Sequence, residues 1–80
     1  MGTFVLHHRH QPDECAASFA AWAGFASPLR HSLVPSTCLD GGHGLYWTVE
    51  AADRAAALAL LPRYVADRTT AIQVRSVEIP

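Results

Sequence analysis

The sequence lacks any run of basic residues. Its six cationic side chains are all arginines, they are scattered along 80 residues, and the formal net charge is −1. Proteins that bind nucleic acid neutralise a series of phosphates with clustered lysine and arginine. The charge pattern therefore predicts no nucleic-acid partner.

Long apolar runs are lacking as well. None approaches the roughly 20 residues that a membrane-spanning helix needs, and histidines interrupt the first apolar stretch after Leu6, which is untypical of a signal peptide. We expect no membrane partner and a cytoplasmic location. Because the cytosol is reducing, the only two cysteines, Cys15 and Cys38, are expected to be free thiols.

The length predicts one small domain over residues 1–80. A chain this short buries only about 60% of the surface that its unfolded form exposes. Half of its residues are apolar and only 16% are charged, so part of the apolar surface is expected in a subunit interface. The composition therefore predicts a homodimer.

The first 26 residues predict a strand followed by a helix. Thr3 to His8 is rich in β-formers and predicts strand 1. Pro12 and the two acids after it suit a first helical turn, and Ser27-Pro28 ends the helix. Four apolar residues at helical spacing predict one buried stripe: Cys15, Phe19, Trp22 and Ala26.

The middle of the chain predicts a hairpin. Ser32 to Leu39 reads as strand 2, placed at a sheet edge because Pro35 cannot donate a ladder hydrogen bond. Asp40 to Gly44 predicts a turn. Leu45 to Glu50 alternates apolar and polar residues and predicts strand 3.

The last third predicts a capped helix and a final strand. Asp53 is the expected N-cap of helix 2, which runs from Arg54 to Leu61 until Pro62 kinks or splits it ahead of a turn. Thr69 to Ile79 predicts strand 4, with a bulge near Arg75 where the apolar positions change parity.

The order β-α-β-β-α-β predicts a ferredoxin-like α+β fold. Its four-stranded antiparallel sheet has the order 4-1-3-2 with two helices on one face. In element order and length the whole chain resembles the small dimeric α+β-barrel proteins, a superfamily that includes ligand-binding proteins, isomerases and cofactor-free monooxygenases. No residue motif accompanies the resemblance, so it assigns no functional residue.

That topology brings most of the histidines and both thiols to one rim of the sheet. Imidazole and thiolate suit Zn, Cu or Ni, and the residues that we expect to bind such a metal are His8, His10, Cys38 and His43. Their spacing matches no zinc-finger or metalloprotease motif. The alternative is that histidines simply occupy solvated strand ends. Cys15 is read as a core thiol, with a helix-activated nucleophile as the alternative.

Three functions fit these residues. The first is non-enzymatic binding of a transition metal or a small aromatic ligand at the His-rich rim. Trp22 and Trp47 could in addition line a pocket for a flat ligand between sheet and helices or between protomers, although these residues also suit a plain core. The second is a cofactor-free isomerase or monooxygenase with His8 or His43 as general base. The third is an accessory subunit whose interface is its function. The sequence contains no paired-carboxylate motif and no nucleophile–base motif. The enzyme hypothesis therefore rests on the resemblance in fold alone.

Overall fold

The fold is a three-stranded antiparallel sheet, described over residues 1–80 by a computed structural model. Strand β1 (Gly2–Arg9) lies in the centre, with β2 (Gly44–Ala51) on one side and β3 (Thr69–Val74) on the other. The register places Leu6 of β1 between Trp47 and Ala71. The central position of β1 carries its C-terminal end, with the histidines, into the middle of one sheet rim.

The helices are short. A 3₁₀ turn (Pro12–Glu14) leads into α1 (Cys15–Ala20), and α2 (Arg54–Leu58) and α3 (Arg63–Ala66) connect β2 to β3. A second 3₁₀ turn, Cys38–Asp40, precedes β2. None of these helices has the length and apolar character needed to cross a membrane.

The core lies against one face of the sheet. Alternate residues of each strand point into it, which is the period of two that a half-buried strand requires. The segment of α2 and α3 covers that face. The buried apolar cluster is Phe4, Leu6, Leu45, Trp47, Val49, Ala51, Ala57, Leu61, Val65 and Ala71.

The strands predicted at Thr3–His8 and Leu45–Glu50 are confirmed within one or two residues at each end. The final strand is shorter than predicted. It ends at Val74, so no bulge forms near Arg75, and Val77 and Ile79 are 79% and 81% exposed.

The predicted four-stranded ferredoxin-like sheet is wrong, because residues 32–39 form no strand. A single bridge joins Ser36 to Leu45, and beyond it the chain turns into the 3₁₀ segment. Pro35 offers no N–H for a ladder, although its carbonyl accepts from Tyr46 N at 3.0 Å. Leu33 and Leu39 are fully exposed, whereas Val34 and Cys38 pack against the core, so the segment does not bury its apolar residues with the alternation of a strand.

The predicted arrangement of two helices on one sheet face is also wrong. The first helix stops at Ala20 instead of Ala26 because the last turn tightens into i→i+3 hydrogen bonds and Gly24 adopts a left-handed φ of 75°. Its predicted stripe is not a core face, since Phe19 is half exposed. The second helix ends at Leu58 instead of the predicted Leu61, and Pro62 precedes a further helix, α3, where a turn was expected.

The cap of α2 is confirmed. Asp53 accepts a hydrogen bond from Ala56 N at 2.8 Å, which satisfies a helix amide that has no partner within the helix. Replacing Asp53 with Ala should lower the free energy of unfolding by about 1 kcal/mol, measured by urea denaturation. Asp67→Ala is the control, because its ion pair with Arg63 is long (3.8 Å) and exposed. Equal losses in both variants would contradict the capping role.

Candidate metal centre

Three side chains with metal-binding atoms meet at the rim where β1 ends. His10 follows β1, Cys15 begins α1, and His43 precedes β2. One ligand atom from each lies within 4.8 Å of the other two. His10 is buried, and Cys15 and His43 are partly buried. We call these three residues the His10–Cys15–His43 group.

The backbone holds the two histidines together. His10 N donates to the carbonyl of His43 at 3.2 Å, which extends the pairing of β1 with β2 by one step. His43 has a φ of 52°, an uncommon conformation for a residue with a side chain. The preceding loop is fixed by Thr37, whose hydroxyl accepts from Gly44 N at 2.9 Å and whose carbonyl accepts from Gly42 N at 2.8 Å.

Cys15 is positioned through the residue before it. Glu14 accepts from the amide of Gln11 at 2.8 Å with one carboxylate oxygen. Its other oxygen accepts from Arg68 at 2.9 and 3.1 Å. Arg68 lies 3.7 Å above the ring of Tyr64 and joins the start of α1 to the start of β3. These contacts set where the first turn of α1 places the thiol.

His8 is fully buried and both of its ring nitrogens are engaged. Nδ1 lies 3.2 Å from the Val65 carbonyl and 3.3 Å from the Thr69 hydroxyl oxygen. The Thr69 proton is already donated to the same carbonyl at 2.6 Å. Because both neighbours of Nδ1 present lone pairs, Nδ1 carries the hydrogen and Nε2 is the acceptor.

The tautomer of His8 fixes that of His10. The His8 Nε2 atom lies 2.9 Å from Nδ1 of His10. Since His8 Nε2 accepts, His10 Nδ1 must donate. The remaining nitrogen of His10, Nε2, then has a free lone pair. A metal-binding histidine typically donates its other N–H to a fixed acceptor in this way.

Both rings are held neutral. Burial lowers the pKa of His8, and this outweighs the opposite effect of the Val65 carbonyl. Burial also lowers the pKa of His10, and the neighbouring His43 lowers it further. A neutral imidazole is the form that binds metal.

His43 has an unpartnered polar atom. Its Nδ1 is buried and makes no hydrogen bond within the protein. A buried polar atom without a partner costs about 1–3 kcal/mol, and binding to an ion or to water satisfies it. The ring centroid of His43 lies 5.4 Å from that of His10. The unpartnered atom is therefore a second sign of a ligand at this rim.

The spacing suits a small cation. With Zn–N near 2.1 Å and Zn–S near 2.3 Å, the ligand atoms of a tetrahedral zinc site lie roughly 3.3–3.8 Å apart. The three atoms here lie within 4.8 Å. Side-chain shifts of about 1 Å, well within rotamer freedom, close the group around an ion.

The structure brings together only part of the predicted ligand set. His10 and His43 belong to the group, whereas His8 lies behind His10 with no free nitrogen. Cys38 lies outside the group, although its Sγ is 4.0 Å from His10 Nε2. His7, which shares the predicted strand end, stacks on Tyr46 at the opposite sheet face.

Cys15 is the member of this group that the predicted ligand set did not contain. Its place in an apolar helical repeat favoured a core thiol, but it is only partly buried and the helix is too short to press it against the sheet. The sequence signal that could have identified Cys15 is its position directly after two acids at a helix start, a few residues downstream of three histidines.

Comparison of the chain with protein-family models, with curated proteins and with solved structures finds no match.

The neutral histidine pair predicts a stability that depends on pH. The unfolded chain takes up protons at its histidines near pH 6.5, while His8 and His10 resist protonation in the fold. The stabilisation is complete above that pH and is lost as the pH falls below it. Each extra proton bound by the unfolded chain contributes a slope of about 1.4 kcal/mol per pH unit.

Urea denaturation of metal-free protein between about pH 7.5 and 5 measures this slope. His8→Gln should reduce the slope, because it removes one buried titrating ring. His31→Asn is the control: His31 is exposed and also has a positive φ (65°), which asparagine tolerates. An unchanged slope in His8→Gln would contradict the assignment of a buried neutral His8.

Proposed function

We propose that this protein binds a transition-metal ion, without catalysis, through His10, Cys15 and His43. The observation that carries the proposal is the convergence of three ligand atoms within 4.8 Å, one of them from a histidine whose tautomer the fold has fixed. The buried, unpartnered Nδ1 of His43 adds a second argument, because a bound ion would satisfy it or bring a group that does.

The ligand set narrows the choice of metal. Two imidazoles and one thiolate suit Zn²⁺ first, with Cu and Ni as the other candidates. Three protein ligands leave one position of a tetrahedral zinc ion for water or a fourth side chain.

His8 acts in this proposal as a positioning residue. It donates to the Val65 carbonyl and accepts from His10, so it holds the His10 ring in one orientation and one tautomer. Outer partners of this kind typically change metal affinity by about 10- to 100-fold when they are removed.

The same contacts weaken the enzyme hypothesis. A general base needs a free lone pair that a substrate proton can reach. His8 is fully buried and uses both ring nitrogens within the protein. His43 keeps an unpartnered nitrogen, Nδ1, but that atom is buried, so a substrate proton has no access to it.

Metal titration of untagged, chelator-treated protein tests the site. We expect one Zn²⁺ per chain by calorimetry, and Co²⁺ should give the absorption band of a thiolate ligand. Cys15→Ser should abolish that band, and His43→Asn, which suits the left-handed backbone, should weaken binding by at least about tenfold. His8→Gln should weaken it by about 10- to 100-fold.

Two matched variants serve as controls. Cys38→Ser should keep the thiolate band, because Cys38 lies outside the group, and His31→Asn should keep full affinity. If Cys38→Ser loses the band while Cys15→Ser retains it, the metal is bound by the set that the sequence predicted, His8, His10, Cys38 and His43. Binding of less than one ion per chain by the parent would overturn the proposed function.

We further propose that the chain forms a homodimer through the sheet face opposite the core. That face is uncovered and carries the stacked rings of His7 and Tyr46, 4.5 Å apart, beside Val5 and the half-exposed Ile72. Light scattering should give twice the chain mass of 8.7 kDa. Ile72→Lys should give a monomer, because the charge would be buried without a partner. A monomeric parent would contradict the interface.

A further inference from the structure

A second concave site lies beside the metal centre. It is a groove of about 380 Å³ between the end of α1, the loop of residues 29–34 and β2. Pockets for small ligands have volumes of about 300–1,000 Å³ and are mostly apolar with a few polar groups. Seven of the ten residues that line this groove are apolar.

Two indole rings form a preformed aromatic wall. Trp22 and Trp47 lie 5.9 Å apart between ring centroids, with an angle of 42° between their planes. Trp47 is held in the core, at 6% exposure, and Phe25 packs edge-on against Trp22 at 6.2 Å. Trp22 is partly exposed and offers the accessible aromatic surface of the groove, while the nearly buried Trp47 lies beside it in the lining, which suits a flat ring system.

The loop of residues 29–34 supplies the polar and cationic part of the groove lining. Arg30, His31 and Ser32 follow one another there, and no carboxylate lines the groove. Arg30 is half buried but forms no ion pair, since the two ion pairs of the chain use Arg63 and Arg68. A guanidinium beside an apolar wall, with its charge uncompensated, is suited to bind a carboxylate.

The loop that carries Arg30 is anchored. The hydroxyl of Ser27 donates to the Leu60 carbonyl at 2.7 Å and accepts from Leu29 N at 3.2 Å. The hydroxyl of Ser32 donates to the Leu29 carbonyl at 2.6 Å. His31 holds a left-handed φ of 65°. Because the loop is fixed on both sides of Arg30, binding would cost little ordering of the backbone.

We propose that this groove binds a small aromatic carboxylate. The ring system lies against Trp22 and Trp47, and the carboxylate pairs with Arg30. Phe19 separates the groove from the metal centre: it lines the groove and packs edge-on against the ring of His10, 6.3 Å away. The aromatic site is thus adjacent to the metal centre but uses different residues, and the proposal does not depend on metal binding.

The test compares 2-naphthoate with 2-naphthamide, which has the same rings and nearly the same shape but no charge. Calorimetry on the full chain should show naphthoate binding at least about tenfold more tightly, because only the acid forms a charge-assisted pair with Arg30. In ¹H–¹⁵N spectra the chain has only two indole N–H signals, from Trp22 and Trp47. Both should shift with naphthoate.

Three variants assign the contacts. Arg30→Gln should bring the affinity for naphthoate down to that for naphthamide and leave naphthamide unchanged. Trp22→Leu should weaken both probes. His43→Asn should change neither, so failure of the metal proposal and failure of this one remain distinguishable.

Three results would overturn the proposal. The first is an absence of indole shifts at millimolar naphthoate, which would also be expected if a second copy of the chain covered the groove. The second is equal affinity of the parent for acid and amide, which decides the matter even if Arg30→Gln does not fold. The third is full naphthoate affinity in a folded Arg30→Gln variant.

Discussion

The hydrogen bond between the rings of His8 and His10 is the contact on which the proposed metal centre depends. His8 lies at the end of the core, where the side chains of β1 change from apolar to polar, and it is anchored on the Val65 carbonyl at the end of α3. Because His8 is fixed, its hydrogen bond to His10 also fixes the orientation of the His10 ring. As a result, the position of the Val65 carbonyl at the end of α3 determines which way the lone pair of His10 Nε2 points.

A small fold supports this arrangement with few elements. Only ten apolar residues form the buried cluster, and no helix exceeds six residues. Short helices have little stability of their own, so tertiary ties replace length. The Glu14–Arg68 pair is such a tie, because it fixes the first turn of α1, and with it Cys15, to the start of β3. The proposed metal centre therefore depends on all three strands of the sheet, although only three side chains would bind the ion.

The rim and the groove form two chemically different sites separated by one side chain. Phe19 is half exposed, and its ring packs against His10 on one side and lines the groove on the other. A helix that buried its apolar stripe in the core would have withdrawn this ring from both sites. The shortness of α1, which makes the predicted stripe wrong, is thus what leaves an aromatic group between the imidazoles and the tryptophans.

Local patterns alone determined the three strands, the Asp53 cap, the break at Pro62 and the gathering of histidines where β1 ends. Each depends on neighbours a few residues apart, because strand alternation, helix capping and the missing N–H of proline are local effects. Predicted strand 2, Ser32 to Leu39, did not form although its residues are β-like. Its side chains do not alternate between core and solvent, and burial is a tertiary property. The tertiary structure also decided that Cys15 joins His10 in the group and that Nε2 of His10 keeps its lone pair. Both outcomes depend on distances of a few ångströms between remote segments, and these follow from packing and not from spacing along the chain.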